Sequence, residues 1–203
     1  MTPSPESPVV LVTCSVFRAE VTHLWKTCWP HLKVPFQSSM LHMNPVKLGC
    51  RLEMVVDNEL RQGRRVVLVY GECFPGMGEL ESRPGVARTR GGNCAEMVLG
   101  HKEYVRLLRA GAFFLLPEWA AQGDRYFRRD LGLNRDNATS LMRDSHNTLL
   151  YLDTGVAPIP EQGLQAVSRH CGLPWEILPV SLDRLRAVIE DALQRLGPLA
   201  APD

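Results

Sequence analysis

Two short runs of aliphatic, largely β-branched residues, VVLVT at 9–13 and RVVLVY at 65–70, most constrain this fold. Each is apolar on successive residues rather than alternate ones, so both faces of the strand it forms must be buried, as in the centre of a parallel sheet. Parallel neighbours need long crossovers, and the segments after each run carry helical periodicity. Phe17, Val21, Leu24, Trp25 and Cys28 are spaced for a helix that Pro30 stops; Leu48, Leu52, Val55, Val56 and Leu60 form a stripe over Val46–Gln62 that Gly63 ends. Between them Lys33–Met40 reads as a strand that Pro35 places at an edge.

The pattern continues to the C-terminus. It predicts a long loop after Tyr70, a helix over Cys94–Arg109, a strand over Ala112–Leu116 and a helix over Glu118–Arg129. A strand over Leu149–Leu152, a helix over Glu161–His170, a strand over Trp175–Val180 and a helix over Leu182–Leu196 capped by Ser181 complete it. Strands alternating with helices throughout mean an α/β fold, an open, mostly parallel, Rossmann-like sheet with helices on both faces. Residues 9–197 are expected to form a single α/β domain, with a disordered N-terminus over 1–8 and a tail over 198–203.

Charge excludes some functions. With 23 Lys and Arg against 22 Asp and Glu there is no basic footprint for nucleic acid. The apolar runs are too short to span a bilayer, and MTPSPESPVV lacks the basic start of a secretion signal, so a cytoplasmic protein with no membrane partner is expected. Six cysteines in such a chain point to metal binding, catalysis or burial rather than to a disulfide framework.

In open α/β sheets ligands bind beyond the carboxyl ends of the strands. Cys14-Ser15, His42 and Asn44, Glu72-Cys73, Pro117-Glu118-Trp119 and Asp153-Thr154-Gly155 all follow predicted strands. Cys94 opens the helix after the third, behind an Asn93 N-cap with Glu96 three residues on. A helix N-terminus favours a thiolate, so Cys94 is expected to be acidic. Cys14, Cys73 and Cys94 are therefore candidate metal ligands, with His42 as a fourth. Glu72 and Asp153 are candidate acid–base groups, and Arg88 and Arg90 on the glycine-rich loop 74–93 are candidate cofactor-binding cations. Cys28 and Cys171 are assigned to packing; Cys50 receives no role.

Three cysteines leave one tetrahedral zinc position open, or one iron of a four-iron cluster without a protein thiolate. The dispersed spacing and the lack of a firm fourth ligand lean towards iron–sulfur over zinc. A small molecule or cofactor at that site is the expected partner, and a protein partner stays open. So do two other readings: a metal-free enzyme with a cysteine nucleophile, and an accessory protein that delivers a metal or cofactor.

The blocks VVLVYGEC, GGNCAEMVLGHKEYVRLL, GAFFLLPEWAAQGDRYFRRDLGL and NTLLYLDTG, in that order, resemble a prokaryotic family known as domain of unknown function 1638, over roughly residues 9 to 180. The resemblance implies a shared α/β fold and functional cysteines at Cys14, Cys73 and Cys94. Members typically carry Asp-Cys-Gly where this chain has Glu72-Cys73-Phe74. Some are associated with methylamine and corrinoid methyl transfer, which adds C1 chemistry to the expectations.

Overall fold

The computed structural model describes residues 8–123 and 135–196. The expected terminal segments fall almost wholly outside this range, as does the second half of the helix predicted over Glu118–Arg129. The first half of the chain runs β1 (Val9–Cys14), α1 (Arg18–Cys28), β2 (Phe36–Gln37), α2 (Pro45–Arg61), β3 (Arg65–Val69), α3 (Met77–Glu81), β4 (Val86–Arg88), α4 (Cys94–Leu99) and α5 (His101–Arg109). The second runs β5 (Ala112–Leu115), α6 (Pro117–Gln122), α7 (Arg135–Ser145), β6 (Thr148–Asp153), α8 (Glu161–Cys171), β7 (Trp175–Pro179) and α9 (Asp183–Arg195). One turn of 3-10 helix, Ser15–Phe17, joins β1 to α1, and another, Ser39–Met43, follows β2.

Every strand pairing is parallel, as the doubly apolar runs require. The strands form two sheets rather than one continuous sheet: a four-stranded sheet in the order β2-β1-β3-β4 and a three-stranded sheet in the order β5-β6-β7. β1 and β3 pair from Val9 opposite Arg65 to Thr13 opposite Val69, and both are buried almost throughout. From β1 the chain steps outward to β2 on one side and returns to β3 on the other. The strand order therefore reverses between β1 and β3, and a crevice opens at their carboxyl ends.

Alternation along β6 shows how the second sheet is held. Leu150 and Leu152 point into a core shared with Leu11, Leu68 and Ile189, whereas Leu149 and Tyr151 point into a second core with Leu164, Val167 and Cys171 of α8. Each fully buried aliphatic contributes about 1.5–3 kcal/mol of transfer free energy. α2 buries Leu48, Leu52 and Val56, and α9 buries Leu185, Val188, Ile189 and Ala192. Among the described residues no helix is long and apolar enough to cross a membrane.

The differences from the sequence expectation have local causes. Gly100 takes φ 79° and splits the helix predicted over Cys94–Arg109 into α4 and α5. The loop 74–93 is not structureless: it contains α3, and β4 extends the β3 edge by pairing Val66 with Val86 through Leu68 with Arg88. These elements are three to five residues long, below the length at which periodicity is legible. α7 was not expected, because ATSLMRDS offers few apolar positions for a stripe. Ser181 does cap α9: its hydroxyl accepts from the Asp183 amide at 3.0 Å, although Leu182 is the boundary residue.

β2 is indeed an edge, and two residues long. Leu11 and Thr13 amides donate to the Lys33 and Pro35 carbonyls, so the proline needs no N–H on the outer side. Lys33 Nζ and Arg64 Nε meet the two Glu59 oxygens at 2.8 and 2.7 Å, tying this edge to the end of α2. The Glu59 side chain is 5% exposed. Its carboxyl is burdened by desolvation, but the two cations outweigh this and hold its pKa below the ordinary range.

Glu59→Ala should therefore destabilise by about 1–3 kcal/mol, because Arg64 loses its counterion in a partly buried place while the half-exposed Lys33 keeps its water. Wild-type stability from Glu59 is present above the unfolded carboxylate pKa and lost as pH falls through the lower folded value, so urea midpoints should converge at acid pH. A second expectation concerns Gly71, where a Cβ would stand 2.5 Å from the Gly92 oxygen and 2.7 Å from the Asn93 Cα. Gly71→Ala should cost about 1–3 kcal/mol in urea unfolding. Gly78→Ala, with open space at the same test, should gain about 0.5–1 kcal/mol.

Candidate functional site

The crevice at the β1/β3 reversal collects thiols. Cys14 is the last residue of β1 and is 3% exposed; Cys73 follows β3 on the turn Gly71–Phe74; Cys94 is the first residue of α4. Gly71 brings the last two together: with no side chain there, the Glu72 amide donates to the Gly92 carbonyl at 2.9 Å, and the segment leading into α4 lies directly on the strand end. The three sulfurs are near enough that ionising one disfavours ionising another. Cys94 and Cys73 both raise the Cys14 pKa, and Cys73 raises that of Cys94.

Backbone amides face each sulfur. The Val16 amide supports the Cys14 thiolate, Gly71 that of Cys73, and Cys94 and Ala95, at the start of α4, that of Cys94. The helix N-terminus thus acts on Cys94 as its position predicts, but it does not prevail. Burial is the leading influence on all three and pushes their pKa values up, for Cys94 to about 12 and for Cys14 beyond the ordinary thiol range. The expectation of an acidic Cys94 is overturned: part of the residue's surface is open, yet desolvation outweighs two amides. Without a bound cation all three are neutral thiols at pH 7.

Two further groups belong here. The Tyr70 ring, 1% exposed, is stacked with His42; the charges of Cys14 and Cys73 act on its hydroxyl, which among the described residues has no hydrogen-bond partner. Glu118, on the first turn of α6, reaches across from the second half of the chain. Its Oε1 accepts from the Ser15 hydroxyl at 2.8 Å, and its other oxygen is buried without a partner among the described residues. Its charge acts on Cys14, Cys94 and His42. Ser15 also accepts from the Ser39 amide at 2.9 Å, so one hydroxyl ties together β1, the turn after β2, and α6. Ser15 directly follows β1 and Glu118 lies three residues beyond the end of β5, the positions past strand ends that the sequence marks.

His42 is beside this group rather than among the sulfurs. Its Nδ1 is 2.9 Å from the Ser39 carbonyl and its ring is stacked with Tyr70, centroids 6.2 Å apart. With Nδ1 donating, Nε2 carries the lone pair. Burial lowers its pKa, which keeps the imidazole neutral.

The remaining candidates divide. Arg88 is held by Glu81 at 2.8 Å, has Glu72 at 3.9 Å, and lowers the Cys73 pKa. Glu72 is itself largely exposed. Arg90 lies farther out, 3.3 Å from Asp191 of α9. Asp153 accepts from the Gly155 amide at 2.9 Å, an Asx turn after β6, and no described interaction links it to the thiols. Cys171 is fully buried, Cys28 half-buried and Cys50 exposed, and all six cysteines are free.

Two cavities border the thiols. One of about 600 Å³ borders Cys73, with Glu72, Phe74, Met77 and Arg88 in its wall. The other, about 260 Å³, borders Cys94 and is walled by Tyr104, Phe113, Phe114, Trp119 and His146. Among the described residues no group of three or more His, Cys, Asp or Glu side chains stands ready to hold a metal ion.

No curated protein and no solved structure matches the sequence. A family model does, over residues 36–189, a range that contains His42, Tyr70, Cys73, Cys94 and Glu118 and begins after Cys14. By that match over most of its length, the chain belongs to the family described as a protein of unknown function, DUF1638.

Proposed function

We propose that Cys14, Cys73 and Cys94 hold a metal centre at the β1/β3 crevice, an iron–sulfur cluster in preference to zinc, in a cytoplasmic protein. The observation that carries this reading is the delivery of three thiols, from three different elements, to one buried place where each sulfur faces backbone amides and the Tyr70 hydroxyl has no partner. Burying three neutral thiols with donors aimed at them is poorly balanced. A cation of multiple charge reverses this by making thiolates favourable and giving the amides anionic acceptors.

The donor set fits. Soft thiolates suit iron–sulfur and zinc alike, and three of them leave a coordination position for an exogenous small molecule. His42 Nε2 is the group available should the centre be zinc. A cluster would supply redox or ligand-activating chemistry, and an open-site zinc would carry a thiolate or polarise a substrate, as methyl transfer requires. Tyr70 and Glu118 orient what binds, Glu118 as a hydrogen-bond acceptor held by Ser15. Arg88 offers a charge beside Cys73, and the 600 Å³ cavity there is the approach for a small molecule.

Thiol burial argues against the metal-free nucleophile, since nucleophilic cysteines are acidic and these are not. Six free cysteines agree with a reducing compartment.

Protein isolated anaerobically should be brown, with broad visible absorption that bleaches on reduction, and His42→Ala should keep the colour. Colourless protein with one zinc, lost in His42→Ala, would mean the right site and the other metal. Ser in place of Cys14, Cys73 or Cys94 should lower bound metal well below the wild-type ratio, whereas Cys50→Ser and Cys171→Ser should retain it, the latter with a modest loss of stability. Equal metal in all five variants would overturn the centre. The raised thiol pKa values add a pH dependence. Because binding must expel protons from neutral thiols, apparent affinity for added metal should rise with pH, by about tenfold per unit for each proton released, between about pH 6 and 9. A flat profile in a competitive chelator titration would contradict neutral thiols.

A further inference from the structure

The cavity of about 260 Å³ beside Cys94 lies along an open edge of the second sheet. β5 is the outermost strand there, with β6 on its inner side. The Thr148 amide points to the Gly111 carbonyl at 3.5 Å, and the next amide, Leu149, donates away from β5 to Pro174. Gly111, Phe113 and Leu115 therefore turn their main-chain groups towards β6, and Ala112 and Phe114 turn theirs outward. Phe113 and Phe114 leave opposite faces of the strand, yet both border the cavity, which thus runs along the strand edge, with Cys94, Tyr104 and Leu108 completing its wall.

Of the two outward-facing residues, Ala112 has a partner, since the His146 ring bonds to its backbone. Phe114 has none: among the described residues neither its amide nor its carbonyl is hydrogen-bonded, and the residue is only half-buried. A main-chain donor and acceptor side by side in an apolar slot require a partner that offers the complementary pair. The walls of the slot are aromatic. The Tyr104 and Phe114 rings lie 5.2 Å apart at 31°, Phe113 meets His146 edge-on at 5.2 Å, and Trp119 joins them. No Asp, Glu, Lys or Arg side chain borders the cavity among the described residues, and burial lowers the His146 pKa, which keeps that imidazole neutral. An ionic ligand would enter without a counterion.

We propose that this cavity binds a neutral, planar aromatic lactam, whose N–H donates to the Phe114 carbonyl and whose C=O accepts from the Phe114 amide. The ring lies against the aromatic walls, which reward a flat π-system beyond its buried area. Size follows from volume. An apolar cavity of about 150 Å³ takes benzene, so 260 Å³ holds one ring or two fused rings and has no room for an added β-strand of several residues. Cys94 borders the cavity, so the ligand lies beside the thiols. The groups that bind it belong to β5, α5 and α6, however, and the site stands whether or not the thiols hold metal.

The test is a titration of the isotope-labelled full chain, as isolated and after chelator treatment, followed in amide proton–nitrogen correlation spectra. The probes are quinolin-2-one, its N-methyl derivative, which lacks the donor, and quinoline-2-carboxylate, which carries a charge. The expected result is saturable binding of quinolin-2-one, at least tenfold tighter than either control and equal in both preparations, with the Phe114 amide proton moved downfield. Tyr104→Phe should keep this affinity and Tyr104→Ala should weaken it about tenfold, as loss of a stacking wall does. Where Tyr104→Ala does not fold, the wild-type spectra decide. Equal affinity for the N-methyl compound, or an unmoved Phe114 amide, would overturn the main-chain pairing and the proposal with it. Tight binding of the carboxylate would overturn the neutral site, and so would the absence of saturable quinolin-2-one binding. Loss of binding on chelation would assign the ligand to the thiol centre instead, whereas binding kept in metal-free protein separates this site from the fate of the metal reading.

Discussion

The parallel pairing of β1 with β3 is the constraint from which the rest follows. Five residue pairs fix the register, and both strands are apolar on both faces, so a slip of one residue would exchange the two buried faces and misalign the ends. Because the chain leaves β1 on one side and returns to β3 on the other, the strand order reverses at the carboxyl ends of this pair, and the crevice there is a consequence of connectivity. Cys14 and Tyr70 lie at its floor because they are where the two strands stop.

What fills the crevice is unusually polar for its burial. Three thiols, a tyrosine hydroxyl and a glutamate oxygen share it, held by Ser15 and a few backbone amides. Desolvation determines its electrostatics: it outweighs the helix terminus at Cys94, neutralises His42 and raises Tyr70. On the proposed reading, a bound cation would balance these groups by giving the backbone amides anionic acceptors.

Much of this was legible in the chain itself. Uninterrupted VVLVT and RVVLVY suit central parallel strands, and the rule that ligands sit beyond strand ends marks Cys14 and Cys73. Asn93 capping α4 was equally plain, and its Oδ1 accepts from the Glu96 amide at 3.0 Å. The Glu96 carboxylate returns to the Gly92 amide rather than to that of Asn93. Elements of three to five residues such as α3 and β4 were not legible, since neither completes two periods of its pattern.

Sequence by itself determined the class of fold, the parallel strands and the rim on which the cysteines fall, because these depend on local periodicity and on residue order. Only the tertiary structure decided that the strands divide into two sheets, that Glu118 of the second half crosses to Ser15 of the first, and that Cys94 is a neutral thiol. Pairing across a hundred residues and the desolvation of a side chain are sums over atoms far apart in the chain. No local pattern encodes them.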